Sequence, residues 1–159
     1  MLNKTGIPTK DQVLSRFPET KALIRPKAIL ECYEDIPCNP CSTSCPFDAI
    51  EIGPNINTQP QLHVDLCTGC AMCVSSCPGL AIVIAQIKDN KAIFKIPYEF
   101  NPKPKKGEIW DGVNRSGEVI CDAVIEGILF NQKQDHTAVV TVSVPVEFLH
   151  DFVTVRVKL

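Results

Sequence analysis

The sequence predicts an α+β fold. A small, internally repeated unit with a trailing hairpin occupies residues 27–100, after a helical arm over 1–26 and before a small all-β barrel or sandwich over 107–159. Three observations carry this. Cys45-Pro-Phe-Asp-Ala-Ile-Glu-Ile aligns with Cys77-Pro-Gly-Leu-Ala-Ile-Val-Ile at an offset of 32 residues, the self-similarity of a duplicated unit. Val139–Val144 and Phe152–Val157 alternate β-branched residues, as half-buried strands do. Thr9 is followed three residues later by Gln12, which predicts a capping box at the start of a helix.

Composition narrows the function classes. A chain of 159 residues, 45% of them hydrophobic and 21% charged, suits one compact unit or two small ones. A net charge of −2 argues against nucleic acid or an anionic membrane surface as partner. Residues 1–10 are polar and contain Pro8, and no window of 18 apolar residues occurs. Neither an export signal nor a spanning helix is expected, and the expected location is the cytoplasm.

In the arm, Val13, Leu14 and Phe17 gather on one side and Pro18 stops the helix. Ala28–Leu30, Ala49–Ile52, Gln61–Val64 and Ala81–Ile84 read as short strands, with Gly53-Pro54-Asn55 as turn punctuation. Ala85–Phe100 reads as a hairpin turning at Asp89-Asn90. Asn101–Gly107 carries two prolines and three lysines and reads as an exposed linker. Glu108–Trp110 and Glu118–Ile125 complete the strands of the last section, and Pro145–Asp151 is expected to form a helical turn. Trp110 is expected in the core and Cys121 as a buried, inert thiol. His63 reads as a strand-face histidine, and His136 and His150 have no partner at useful spacing.

Nine cysteines dominate the chemistry, and eight lie between positions 32 and 77. Without an export signal, that density favours metal over disulfides. Cys67, Cys70, Cys73 and Cys77-Pro78 stand at C-x2-C-x2-C-x3-C-P spacing, a ligand run for an iron–sulfur cubane. Such a group needs several soft thiolates converging on a small volume, and short loops supply them at little entropic cost. Cys38, Cys41 and Cys45 repeat Cys70, Cys73 and Cys77. Where the repeat requires a partner for Cys67, the chain has Asp35, with Cys32 three residues upstream.

Over residues 27–85 the chain resembles the two-cluster bacterial-type ferredoxins. The resemblance implies two [4Fe-4S] clusters held by halves related by a pseudo-twofold, with the fourth cysteine of each run crossing to the other cluster. One cluster would take Cys67, Cys70, Cys73 and Cys45. The other would take Cys38, Cys41, Cys77 and a fourth ligand. That fourth ligand is open between Cys32 through a longer loop, an Asp35 oxygen, and none, which would leave a [3Fe-4S] cluster. Crossed ligation also implies an apo-protein that folds poorly.

The segment Glu31–Cys41 with the β tail is similar to the ferredoxin-like subunits of bacterial multi-subunit flavin-dependent amino-acid dehydrogenases of the proline and hydroxyproline type. This implies anaerobic metabolism, a hetero-oligomer with FAD- or FMN-containing dehydrogenase subunits, and single-electron relay between flavins or to a carrier. The alternatives are a free-standing ferredoxin shuttling between separate enzymes and a sensor of oxygen or iron. No nucleophile motif or phosphate-binding glycine loop occurs, so no catalytic residue is assigned.

Overall fold

The computed structural model describes residues 1–130 and 136–159. Among them, helix α1 (Lys10–Arg16) is followed by a 3-10 turn at Thr20–Ile24 and strand β1 (Lys27–Leu30). Two short helices, α2 (Pro40–Thr43) and α3 (Met72–Ser76), flank the two-residue strands β2 (Ile50–Glu51) and β3 (Gln61–Leu62). Then come β4 (Ile82–Lys88), β5 (Lys91–Tyr98), β6 (Ile109–Val113), β7 (Val119–Leu129), β8 (Ala138–Pro145) and β9 (Thr154–Arg156).

The local predictions rest on chemistry that the chain uses. The Thr9 hydroxyl accepts from the Gln12 N–H, and the Gln12 side chain accepts from the Thr9 N–H, so the capping box fixes the start of α1. Val13 is buried and Phe17 half-buried, but Leu14 faces outward at 40% exposure. Asp89 and Asn90 both adopt positive φ, 52° and 61°. A two-residue turn of that kind matches the twist of flanking antiparallel strands. The expected helical turn before the last strand is a 3-10 turn at Val146–Phe148.

The tail departs from the expected separate barrel or sandwich. All seven longer strands form one antiparallel sheet in the order β1-β4-β5-β8-β7-β6-β9. The reason lies in β5 and β8, which pair along their whole length from Lys91↔Pro145 to Tyr98↔Ala138. The tail therefore extends the sheet that the hairpin begins instead of closing on itself. Phe152, expected in the final strand, precedes it and sits in the core at 2% exposure.

The period-two alternation of strands divides the interior between two faces. On one face Ile29, Ala85, Phe94, Ile96, Val140, Val142 and Val144 pack with Leu23, Trp110, Leu149 and Phe152. The rings of Phe94 and Phe152 lie 4.8 Å apart. On the other face Ala28, Leu30, Ile82, Ile84 and Val139 pack with Cys41, Cys67 and Cys73. Strands β1 and β4 thus serve two cores at once.

The cysteine region carries paired contacts at the 32-residue offset. Leu30 pairs with Ile82, and Leu62 with Ile50. The Glu31 N–H donates to the Ala81 carbonyl (2.9 Å), and the His63 N–H to the Ala49 carbonyl (2.8 Å). Asp48 and Leu80 share an unusual positive φ of 51° and 52°.

Candidate metal centre

Eight of the nine cysteines line two cavities. Cys45, Cys67, Cys70 and Cys73 face the first, together with Ala28, Ala49, Ile50 and Ile84. Cys32, Cys38, Cys41 and Cys77 face the second, together with Ile36, Ile52 and Ile82. Each cavity therefore receives thiols from both halves of the repeat, Cys45 entering the first and Cys77 the second. Among the described residues, no three cysteine, histidine or carboxylate side chains gather tightly enough for a single metal ion. The thiols instead ring a volume, which is what a multi-atom inorganic group requires.

Backbone N–H groups point at sulfur in both cavities. Ala49 donates to Cys45 Sγ (3.4 Å), and Ala81 donates to Cys77 Sγ (3.4 Å), again 32 residues apart. Ala28 donates to Cys67 Sγ (3.3 Å). The counterpart of that third bond is lost on both sides, because the offset puts Pro60, which has no N–H, opposite Ala28 and Asp35 opposite Cys67. The two cavities are alike in plan and unlike at one corner.

The thiols also sense one another, within each cavity and, from Cys41 to Cys73, between the two. Burial pushes the Cys73 thiol up to about 12, with Cys67, Cys70, Cys45 and Cys41 adding to the effect. Burial raises Cys41, with help from Cys77, Cys38 and Cys32. It raises Cys32 too, Cys77 reinforcing and Arg16 opposing. These three thiols resist ionisation by themselves, and a bound cationic group would stabilise their thiolates. Cys121, expected to be buried, is half-buried in β7 apart from both cavities, and its partial burial raises the thiol.

Asp35 stands outside the second cavity. Its carboxylate accepts from Gln59 Nε2 (2.9 Å) and lines a surface depression with Asn55, Asn57 and Gln61. His63 pairs with Glu51 at 2.9 Å, away from both thiol groups.

Several residues that hold the site carry no motif. Lys27 Nζ donates to the carbonyls of Val64 (2.8 Å) and Cys67 (2.7 Å), tying β1 to the Cys67 loop. Arg16 reaches from α1 to the Cys32 carbonyl (2.8 Å) and to Gln59 Oε1, with its guanidinium 5.3 Å from the Tyr33 ring centre. Gly69 does carry a signal, since a glycine between closely spaced ligands marks a tight backbone. Its φ is +71°, and a Cβ there would lie 2.5 Å from Pro26 Cβ and 2.7 Å from its carbonyl oxygen.

Comparison with known proteins agrees with this geometry. Residues 36–81 match the 4Fe-4S dicluster domain. A ferredoxin-type protein NapF of Escherichia coli (strain K12) is 42% identical over 52 residues, 31% of this chain and 32% of that protein. The ferredoxin-type protein NapF of Haemophilus influenzae is 36% identical over 58 residues, covering 35% and 33%. The chain thus matches about a third of the length of these curated relatives, and no solved structure gives a significant match. These matches support a ferredoxin with iron–sulfur chemistry in the cysteine region. No helix among the described residues is long and apolar enough to cross a membrane.

Proposed function

We propose that the chain is an electron-transfer protein carrying two [4Fe-4S] clusters. The first is held by Cys67, Cys70, Cys73 and Cys45, and the second by Cys38, Cys41, Cys77 and Cys32. The observation that carries this reading is the sorting of eight thiols into two cavities, four to each, with one crossing in each direction. The paired N–H···S contacts and the strand registers at one common offset support the pseudo-twofold relation between the halves. Clusters of this kind supply one-electron oxidation and reduction.

The protein's part is to set the surroundings. Alanine and isoleucine side chains line both cavities and limit water at the sulfurs. Backbone N–H groups directed at Sγ favour the more negative, reduced state. Cys70 is exposed, and Phe47 and Met72 beside it are 44% and 51% exposed. Electrons would leave or enter most directly at this apolar rim of the first cavity.

A dedicated subunit is favoured over a diffusing carrier by a second surface. Phe100, Leu129 and Phe130 are each more than half exposed, and Lys103 bridges Phe100 and Phe130 by a hydrogen bond and a cation–π contact. Exposed apolar corners of this kind serve docking. The partner we propose is a flavin-containing dehydrogenase subunit.

Anaerobic purification of the full chain from its native source, with iron and acid-labile sulfide counted per chain, tests both levels. Eight cysteine-held irons, at about four per cluster, support the two-cluster reading, and a count of four or fewer overturns it. Co-elution with a flavoprotein supports the subunit reading, and a monomer free of flavoprotein overturns it.

A further inference from the structure

We infer that Arg16 is a positioning residue that selects Cys32, and rejects Asp35, as the fourth ligand of the second cluster. This rests on the two-cluster reading. The loop from Cys32 to Cys38 is longer than its counterpart by three residues, because Cys32 lies that far upstream of the Cys67 register. A longer loop that also contains a carboxylate has two candidate ligands, and something must fix its path. No strand does so, since β1 ends at Leu30 and residues 31–39 lie outside helices and strands.

Between the Glu31–Arg115 pair at its entrance and Cys38, the path is fixed from the N-terminal arm. One guanidinium branch of Arg16 donates to both the Cys32 carbonyl (2.8 Å) and Gln59 Oε1, and the other lies 3.4 Å from the Pro60 carbonyl. The guanidinium also sits over the ring of Tyr33, which is buried at 6% exposure. A planar fork with several donors can hold a backbone, a side chain and a ring together, and an ammonium cannot do so equally. Gln59, oriented by Arg16, passes its own two N–H groups onward to the Tyr33 carbonyl (2.8 Å) and the Asp35 carboxylate (2.9 Å). The same network therefore pins the carbonyl of Cys32 and turns Asp35 towards the surface. At the mouth of the loop the Leu2 N–H donates to Glu34 Oε1 (2.6 Å), a second tie from arm to loop.

The consequence is an asymmetry with a cause. The first cluster's ligands are set by short loops inside the repeat, whereas the second depends on a residue outside it. Loss of Arg16 should loosen one cluster and leave the other alone.

The test uses the full chain, reconstituted anaerobically with iron and sulfide, as wild type, Arg16→Met, Arg16→Lys and Gln59→Leu. Iron per chain and low-temperature electron paramagnetic resonance of oxidised and reduced samples are read for each. In Arg16→Met the oxidised sample should gain a three-iron signal at the expense of one cluster, and Arg16→Lys should restore only part of the loss. In Gln59→Leu the second cluster's reduced signal should change shape as Asp35 is freed. The first cluster's signal, unchanged in every variant, reports that the chain is folded. Wild-type spectra and iron content in Arg16→Met overturn the role of Arg16. If Cys32→Ser is also indistinguishable from wild type, the ligand assignment falls instead, so the two failures are told apart.

Discussion

The Glu31 carboxylate and the Arg115 guanidinium form a two-pronged ion pair across 84 residues of chain. Glu31 lies one residue past β1 and one before Cys32, and Arg115 lies in the turn between β6 and β7. Arg115 also donates to the His150 carbonyl (2.6 Å), and the two side chains of the pair are only 12% and 19% exposed. The pair thus joins the entrance of a ligand loop to the far end of the sheet. Breaking one partner of a largely buried pair leaves a charge without compensation. Arg115→Met should cost about 2–4 kcal/mol, measured as a lowered denaturant midpoint by circular dichroism. Adding Glu31→Gln to it should cost less than the two single changes taken together, because the orphaned charge is gone.

Gly69→Ala should remove the first cluster while sparing the second. The left-handed backbone alone costs a Cβ about 1–2 kcal/mol, and the approach to Pro26 adds a clash against backbone that cannot move cheaply. Iron per chain should fall by roughly half, at four irons per cluster, with the remaining paramagnetic signal belonging to the other centre.

Cys70→Ala should likewise abolish the first cluster and most electron transfer, read as iron content and as the rate of reduction by dithionite-poised donors. Cys32→Ser should perturb the second cluster, whereas Asp35→Ala should leave its spectrum unchanged, since that carboxylate meets Gln59 and not the cavity. A three-iron signal already present in oxidised, intact wild type would contradict Cys32 as ligand.

Acid should weaken the fold through His150. Burial holds this imidazole below its ordinary range, with Arg115 and Lys10 adding to the effect and Asp151 opposing it, and its ring packs edge-on against Phe17 at 4.7 Å. Below the unfolded value of about 6.5 the unfolded chain binds a proton that the folded chain refuses, so stability falls as pH falls through that value and levels off below the folded one. The difference in thermal midpoint between pH 7.5 and 5.5 should be smaller in His150→Gln than in wild type.

The readable parts of the sequence were those in which neighbours along the chain also interact. Thr9 and Gln12 are three residues apart, Asp89 and Asn90 adjoin, and the cysteine runs place ligands within ten residues of one another. The expected crossing of Cys45 and Cys77 came from the family resemblance, and the duplication supplied its register by turning a distant relation into a comparison of two local ones. The sheet was not legible as one body, because nothing in Val139–Val144 says that its partner is the hairpin strand Lys91–Tyr98. Nor were Arg16, Gln59, Lys27 and Arg115 legible as parts of the site. Each acts through carbonyls or a single carboxylate 16 to 84 residues away, and backbone acceptors leave no trace in residue type.

Chelation of iron should dissolve only part of the molecule. The core around Phe94, Ile96, Val142 and Phe152 contains no ligand cysteine, so its hydrogen bonds do not depend on metal. Hydrogen exchange after iron removal should speed up across residues 31–80 and stay slow in β5, β7 and β8.

That division of labour across β1 and β4 sets the fate of a damaged molecule. If oxygen stripped bound clusters, the sheet would survive but Ala28, Leu30, Ile82 and Ile84 would lose the cover they share with the cysteines. Strand β1 stands at the end of the sheet, and its outer side is covered at Ala28, whose N–H donates to Cys67 Sγ, so loss of that cover would bare apolar side chains beside a freed backbone group. Such an edge invites another chain to add to it. Air exposure would then be recorded as self-association together with loosening of the cysteine region.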